Sequence, residues 1–339
     1  MFMKAAFLKE IGKDLVVENF TIAEPESEQV TIEQDITGIC YRDILEKEGF
    51  FPRMKPPIIP GHEISGIIRK VGADVKEFRI GERVSSLIYE PCGFCEQCVS
   101  GHENLCPRKK TYGENINGSY TKYVNVSQRS LVRVPDGVSR ELASIAACVT
   151  GMVYHALDTV GEGGYGTRVV ITGAGGGVGS HAIQVAKAIG AQVIAATSSK
   201  WKEETLYKVG ADFVINSSEG FDKEVKKIWP DGSQIVLENT GNATFASSLR
   251  SLAFGGRVVV IGNLEPTPVP LPLGMIILKG NRVEGTISST RNDLRKALDL
   301  SKKGLVKEVK HDERNLEEVN QAFEDIKQRK NIGRIMLKL

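Results

Sequence analysis

Four cysteines stand close together in this sequence, Cys92-Gly-Phe-Cys95-Glu-Gln-Cys98 and then Cys106, with spacings of x2, x2 and x7. Thiolates on such short tethers can close around one tetrahedral metal, as in a structural zinc site with no open position. An iron–sulfur cluster is the rival reading, and C-x2-C-x2-C with Cys106-Pro107 suits a ferredoxin. The x7 gap departs from the x3 spacing of that pattern. Two of the six cysteines remain. Cys40 sits in Gly38-Ile39-Cys40-Tyr41-Arg42-Asp43, Cys148 in Ala147-Cys148-Val149-Thr150, and His62 in Gly61-His62-Glu63. Two thiolates and an imidazole would make a three-ligand zinc with an open fourth position, the catalytic arrangement. Glu63 could fill that position when no substrate is present, and Asp43 could accept the second N–H of His62 and fix its tautomer. The ligands are scattered, so spacing leaves the site open. Taken singly, Cys148 on an Ala-rich stretch reads as a small buried hydrophobe. His102, His155, His181 and His311 are read as structural.

A second constellation is Gly173-Ala174-Gly175-Gly176-Gly177-Val178-Gly179, which follows an apolar strand at 168–172 and opens a helix at 180–190. Glycines there permit a tight turn and close backbone approach, and the helix N-terminus offers N–H groups to a pyrophosphate. A Gly-rich heptad alone is weak evidence, but between strand and helix it reads as a dinucleotide site. About 20 positions on, where an acidic residue would bind the ribose of NAD, the chain has Thr197-Ser198-Ser199-Lys200-Trp201-Lys202. No carboxylate is there to repel a 2′-phosphate, and hydroxyls with Lys200 and Lys202 could hold one, which favours NADP(H) over NAD(H). The bland alternative is two lysines facing water. Thr240, Gly241, Ile261, Gly262 and Asn263 are expected to complete the cofactor contacts.

The elements that must position these residues fall into two textures. Residues 1–135 are β-rich, with short apolar runs at 4–8, 29–36 and 66–71. Pro52, Pro56, Pro57 and Pro60 make residues 50–61 an extended connection. Residues 142–157 read as a helix interrupted around Thr150-Gly151. Strands at 168–172, 192–197, 213–215, 235–237 and 257–262 then alternate with helices at 180–190, 202–209, 222–228 and 243–252. Such alternation predicts an α/β fold with a parallel sheet covered on both faces. After Pro266-Thr-Pro268-Val-Pro270 come a short helix (274–278), a last strand (282–287), a helix (292–303) and a strand-like end (333–339).

Composition narrows the function classes. At 339 residues the length suggests about two domains. Lys+Arg at 44 against Asp+Glu at 42 gives a net charge of +2, so nothing points to nucleic acid or a membrane surface. Arg108-Lys109-Lys110 reads as a solvated turn. No apolar run approaches the roughly 18 residues of a spanning helix, and the N-terminus is charged too soon for a signal peptide. Clustered cysteines without an export signal read as metal ligands, with a reduced cytoplasm as the expected compartment.

Together, Gly38-Ile39-Cys40, Gly61-His62-Glu63, the four-cysteine lobe, Cys148 six residues before Tyr154-His155-Ala156-Leu157, and the Gly-rich turn resemble the zinc-containing medium-chain dehydrogenase/reductase family, the alcohol dehydrogenase superfamily. The likeness spans essentially the whole chain. It implies a GroES-like β-rich catalytic domain (1–150, with a structural-zinc lobe at about 90–110), a Rossmann doubly wound cofactor domain (151–288), and a C-terminal return to the catalytic domain (289–339). It also implies Cys40, His62 and Cys148 as catalytic-zinc ligands with Glu63 beside them, and Cys92, Cys95, Cys98 and Cys106 as the structural set. In the family register the first Gly of G-x-G-x-x-G is Ala174, followed by Gly176 and Gly179. Subunits of the family pair through the last strand of the cofactor domain, so residues 275–287 are the expected interface of a homodimer or homotetramer.

One departure matters. Alcohol dehydrogenases usually carry Ser or Thr two residues after the first zinc cysteine to relay the alcohol proton, and this chain has Arg42. Arginine holds its protons at any working pH, though it could bind an anionic group; the Tyr41 hydroxyl is a candidate substitute. The leading expectation is a zinc-dependent NADP(H) oxidoreductase acting on an alcohol, ketone or aldehyde. The alternative is NADPH-dependent reduction of the C=C bond of an enoyl thioester or enone. Cys40-Tyr-Arg-Asp43, Gly49-Phe-Phe-Pro-Arg-Met-Lys55 and Cys148-Val-Thr-Gly-Met152 look most like an archaeal branch that includes acryloyl-CoA reductases.

Overall fold

The computed structural model describes residues 1–218, 220–265, 267–309 and 312–339, so Pro266 and His311 lie outside the described residues. The chain divides into two compact units. One contains residues 1–151, the segment 288–302 and the C-terminal stretch; the other contains residues 152–287 with a short piece after Lys302.

The first unit is β-rich because its apolar residues come in short runs broken by Gly and Pro. Five antiparallel strands lie in the order Leu131–Arg133, Arg83–Ser86, Ser65–Val71, Gln29–Glu33 and Tyr123–Ser127. Val30, Ile32, Ile68, Val84, Val124 and Val126 from these strands close over one core. A three-stranded sheet joins Asp312–Asn315, Ile335–Lys338 and Ile36–Gly38, pairing the C-terminus with the segment that leads into Cys40. Ile39, Ile44, Tyr120, Val319, Phe323 and Leu337 form the core beneath it. The sequence reading assigns no element to the helices Tyr41–Lys47 and Val319–Lys327. The second had its signal, since Asn315 and Glu318 form a capping box ahead of Val319, Ala322 and Phe323 at helical spacing.

The second unit holds a six-stranded parallel sheet: β1 (Arg168–Ile171), β2 (Gln192–Thr197), β3 (Phe213–Asn216), β4 (Ser233–Glu238), β5 (Leu252–Val260) and β6 (Arg282–Gly285). The order is β3-β2-β1-β4-β5-β6, so neighbouring connections leave in opposite directions between β1 and β4. In open α/β sheets ligands bind at that reversal, outside the carboxyl ends of the strands. The central apolar strands are covered, as predicted: Val169, Val170 and Ile171 are buried, as are Val193 to Ala196, whereas the edge strands β3 and β6 are largely exposed.

Two expectations change. Residues 140–160 form one helical run, uninterrupted at Gly151, with π-helical turns at Ala146–Gly151 and His155–Val160. A π turn accommodates an extra residue without ending the helix, which is why Thr150-Gly151 produces no break. The same run, Arg140–Val160, is long and apolar enough to cross a membrane, contrary to the sequence reading. Its most apolar window is 72% buried inside the protein, so it is a core helix.

Candidate active site and metal centres

Cys40 follows the buried strand Ile36–Gly38 and is the N-cap of the helix Tyr41–Lys47. Its backbone N–H donates to Asp43 Oδ2 at 2.8 Å, which pins the thiol at the start of the helix. Tyr120 donates its hydroxyl to the same oxygen at 2.6 Å, and Asp43 Oδ1 lies 2.9 Å from His62 Nδ1. The carboxylate therefore orients three groups at once and turns His62 Nε2 toward Cys148 Sγ, 3.2 Å away. Cys148 projects from the π turn, its Sγ 4.0 Å from Cys40 Sγ. The ligating atoms of Cys40, His62, Glu63 and Cys148 all lie within 4.8 Å of one another.

Glu63 reaches this cluster because Gly38 leaves room: a Cβ at Gly38 would sit 1.7 Å from Glu63 Oε2. That oxygen is buried with no hydrogen-bond partner, while Oε1 accepts from Arg334. Arg334 also lies 3.7 Å from Cys148 Sγ. Its position was not singled out in the sequence; the signal available was an arginine opening an otherwise apolar C-terminal strand. Burial raises the Glu63 pKa, against the field of Arg334. A hydrogen bond from Cys148, helped by Arg334 and His62, holds Cys40 well below an ordinary thiol. For His62 burial opposes the charged form, yet Asp43 beside it outweighs burial and raises the pKa. Two sulfurs, an imidazole nitrogen and an orphaned carboxylate oxygen gathered in a buried space are a donor set that suits a divalent cation, which would balance the anions that Arg334 alone does not.

In the four-cysteine lobe Cys95 caps the single turn Glu96–Val99, and Cys106 follows the turn Glu103–Leu105. Cys95 and Cys98 sulfurs are 3.4 Å apart, those of Cys92 and Cys98 3.9 Å, and all four thiols share one 4.8 Å cluster. These separations exceed an S–S bond, so the thiols are free. Cys98 is pushed up to about 12, mainly by burial. Four thiols at this spacing fit a closed tetrahedral site.

Arg42 does not reach out as an anion binder. Its Nε donates to Glu46 at 2.6 Å, one terminal nitrogen donates to Glu114, and its guanidinium stacks 4.6 Å from the Phe51 ring centroid. Tyr41 packs against the core around Ile39 and Phe323.

In the second unit the turn after β1 approaches itself closely. A Cβ at Gly179 would meet Gly173 O at 2.4 Å and Ala174 Cα at 2.6 Å. The helix Gly177–Ala188 opens there with Gly176 as N-cap and no capping side chain, leaving its first N–H groups, including those of Gly177, Val178 and Gly179, for a ligand. Thr240 Oγ1, buried without a partner, faces Gly173. Glu238, at the end of β4, was not read from the sequence. It accepts from Thr240 N (2.8 Å), Gly241 N (3.0 Å), Thr172 Oγ1 (3.0 Å) and Thr244 Oγ1 (2.6 Å), and also from Ser248 Oγ. Its backbone oxygen accepts from Ile261 and Gly262, and Asn263 lies against Gly241, so the expected cofactor residues on the two loops do come together. At the end of β2, Ser199 N donates to Thr197 Oγ1 at 3.2 Å, while Ser198 and Lys200 are exposed. Lys202 is buried and crosses Gly175, its Nζ 3.4 Å from Gly175 O.

A family model for the alcohol dehydrogenase GroES-like domain matches residues 26–136, and one for the zinc-binding dehydrogenase domain matches residues 177–303. Acryloyl-coenzyme A reductase of Sulfurisphaera tokodaii is 39% identical over 99% of this chain and 100% of that protein. The enzyme of the same description from Metallosphaera sedula is 40% identical over 99% of both. An alcohol dehydrogenase of Geobacillus stearothermophilus is 33% identical over 99% of this chain and 100% of its own. Among solved structures, AibC superposes with a TM-score of 0.92 at 35% identity, covering 99% of this chain and 96% of that one. A zinc-binding dehydrogenase from Sinorhizobium meliloti bound to NADP gives 0.87 at 25% identity, with full coverage of both chains.

Proposed function

From the premise that this chain belongs to the zinc-containing medium-chain dehydrogenase/reductase family, we propose that it is a zinc-dependent reductase that uses NADPH to saturate the C=C bond of an enoyl thioester. This reverses the order expected from sequence, where an alcohol or ketone came first. The observation behind the reversal is Arg42, held by Glu46 and Glu114 at the position of the family's proton-relaying hydroxyl. Carbonyl–alcohol interconversion moves a proton at the substrate oxygen, and a guanidinium clamped by two carboxylates keeps its protons. Reduction of a conjugated C=C bond leaves the oxygen unprotonated overall and requires the proton at the α-carbon. Two relatives described as acryloyl-coenzyme A reductases support the same reading.

Cys40, His62 and Cys148 would hold the catalytic zinc with Glu63 alongside, and Cys92, Cys95, Cys98 and Cys106 the structural one. When bound, zinc supplies a Lewis acid for the thioester oxygen and the reduced nicotinamide supplies hydride for the β-carbon. Asp43 keeps a proton on His62 Nδ1 so that Nε2 remains a lone-pair donor. Arg334 holds Glu63 by one oxygen and leaves the other available to the site. Gly177, Val178 and Gly179 present backbone N–H groups to the pyrophosphate. Ser198, Ser199 and Lys200 would bind the 2′-phosphate; Lys202, turned to Gly175, would act on the turn instead.

The test monitors NADPH absorbance with crotonyl- and acryloyl-CoA beside a panel of alcohols, aldehydes and ketones. Turnover confined to the thioesters, with NADPH bound about tenfold or more tightly than NADH, is the expected result. Turnover of ketones and alcohols alone would restore the alcohol dehydrogenase reading. A lower dissociation constant for NADH would overturn the cofactor assignment.

A further inference from the structure

Glu238 ends β4 where the strand order reverses, and its side chain is completely buried. All five of its donors are neutral: the Thr240 and Gly241 N–H groups and the hydroxyls of Thr172, Thr244 and Ser248. A buried carboxylate is costly unless its lone pairs are satisfied, and here the donors come from three places. Thr172 follows β1 and leads into the Gly-rich turn. Thr240 and Gly241 make the turn after β4. Thr244 and Ser248 stand one helical turn apart on the helix Asn242–Ser251, so they present one face to the carboxylate. The backbone oxygen of Glu238 takes the N–H groups of Ile261 at 3.0 Å and Gly262 at 3.2 Å, which draws in the loop after β5. Asn239 closes the set by donating its Nδ2 to Thr172 O at 2.9 Å. One residue thus stitches together the three loops at the carboxyl edge of β1, β4 and β5.

Two helices start at this edge and are finished differently. Gly177–Ala188 has no capping side chain, and its first N–H groups are left for a ligand. Asn242–Ser251 has Gly241 as its N-cap, and the Glu238 carboxylate takes the Gly241 N–H and lies at the positive end of the helix dipole. The internal anion fills the second helix end and leaves the first to the cofactor phosphates. Coulomb repulsion opposes this arrangement, because a dinucleotide brings several negative charges of its own. A carboxylate placed here against that field has a geometric duty. In a doubly wound sheet the end of β2 faces the adenosine ribose, so the loops after β4 and β5 fall to the other nucleotide. We propose that Glu238 is a positioning residue for the nicotinamide half of the cofactor, holding those loops in their binding geometry without touching the cofactor itself. The inference rests on the dinucleotide reading of the Gly-rich turn and is independent of the acyl substrate.

The experiment titrates the zinc-loaded enzyme by calorimetry with NADPH and with 2′,5′-ADP, which keeps the adenosine half and lacks the nicotinamide half. NADH and 5′-AMP replace that pair where NADH is the tighter cofactor. In Glu238→Ala the dissociation constant for NADPH should rise about tenfold or more, with that for 2′,5′-ADP changed less than about twofold. Glu238→Gln keeps one acceptor oxygen without the charge, so NADPH should weaken only about threefold, again with 2′,5′-ADP unmoved. The glutamine variant decides the matter alone where the alanine variant does not fold. A carboxylate with a merely structural role predicts a lower Tm with both ligands bound as in the wild type, or both weakened equally; either result overturns the proposal. Tighter NADPH binding by Glu238→Gln would show that repulsion outweighs positioning and would also overturn it. A loss confined to 2′,5′-ADP would move the loops to the adenosine end and reject the assignment. Wild-type enzyme that binds neither NADPH nor NADH rejects the dinucleotide reading itself, whereas tight wild-type binding with both variants unimpaired rejects only the role of Glu238.

Discussion

Asp43 fixes the geometry of the metal site although it is not in the donor set. Its two oxygens take the Cys40 N–H, the Tyr120 hydroxyl and the His62 ring. In Asp43→Asn the side chain keeps its size, but one acceptor becomes an NH2 group facing donors. Partners that orient a ligand are typically worth about 10- to 100-fold in metal affinity, and a loss of that size is expected in competition with a chromophoric chelator. Tyr120→Phe removes one hydrogen bond and should cost about 1 kcal/mol of unfolding free energy, with metal affinity nearly unchanged. Unaltered zinc affinity in Asp43→Asn would show that the surrounding backbone positions Cys40 and His62 without the carboxylate. The thiols, His62, Glu63 and Asp43 were legible because their residue types announce ligand chemistry. Arg334 and Glu114 were not, since each finds its partner only through the fold: Arg334 meets Glu63 across 271 positions of sequence.

Elements were legible where apolar periodicity is strong and local. The central parallel strands read correctly as unbroken apolar runs because both of their faces are covered. Pattern alone did not reveal the π turns around Cys148, since one extra residue in a turn leaves composition unchanged. The Gly-rich turn shows how fine the fit becomes. A methyl group at Gly179 would meet backbone atoms of Gly173 and Ala174 at 2.4 and 2.6 Å, whereas one at Gly176 would touch Gly173 O at an ordinary 3.4 Å. Backbone cannot swing aside as a side chain does, so Gly179→Ala should pry the helix from β1. We expect a loss of about 2 kcal/mol in urea unfolding and at least tenfold weaker NADPH binding by fluorescence titration. Gly176→Ala should leave stability within about 0.5 kcal/mol. Equal stability of the two variants would mean the turn is looser than these contacts indicate.

At the scale of the whole molecule, the outer edge of the parallel sheet is unfinished. The helix Leu273–Lys279 has no buried residue, with Leu273 63%, Ile277 77% and Leu278 80% exposed. Beside it β6 pairs with β5 on one side, and among the described residues no strand pairs with its other side. Bare edge strands invite association, and contiguous apolar patches of this kind are uncommon on monomers. The patch falls on residues 275–287, the interface expected from sequence. A twofold axis through β6 would pair it antiparallel with its copy and bury both apolar helices in one self-complementary contact. Each fully buried leucine or isoleucine is worth about 1.5–3 kcal/mol, so four such side chains across two copies could sustain a stable dimer. Ile277→Glu with Leu278→Glu would place charges in that contact and should yield a monomer in light scattering where the wild type associates, with the zinc content of the two proteins equal. A wild-type protein that is monomeric at micromolar concentration would show that the exposed helix serves some other purpose.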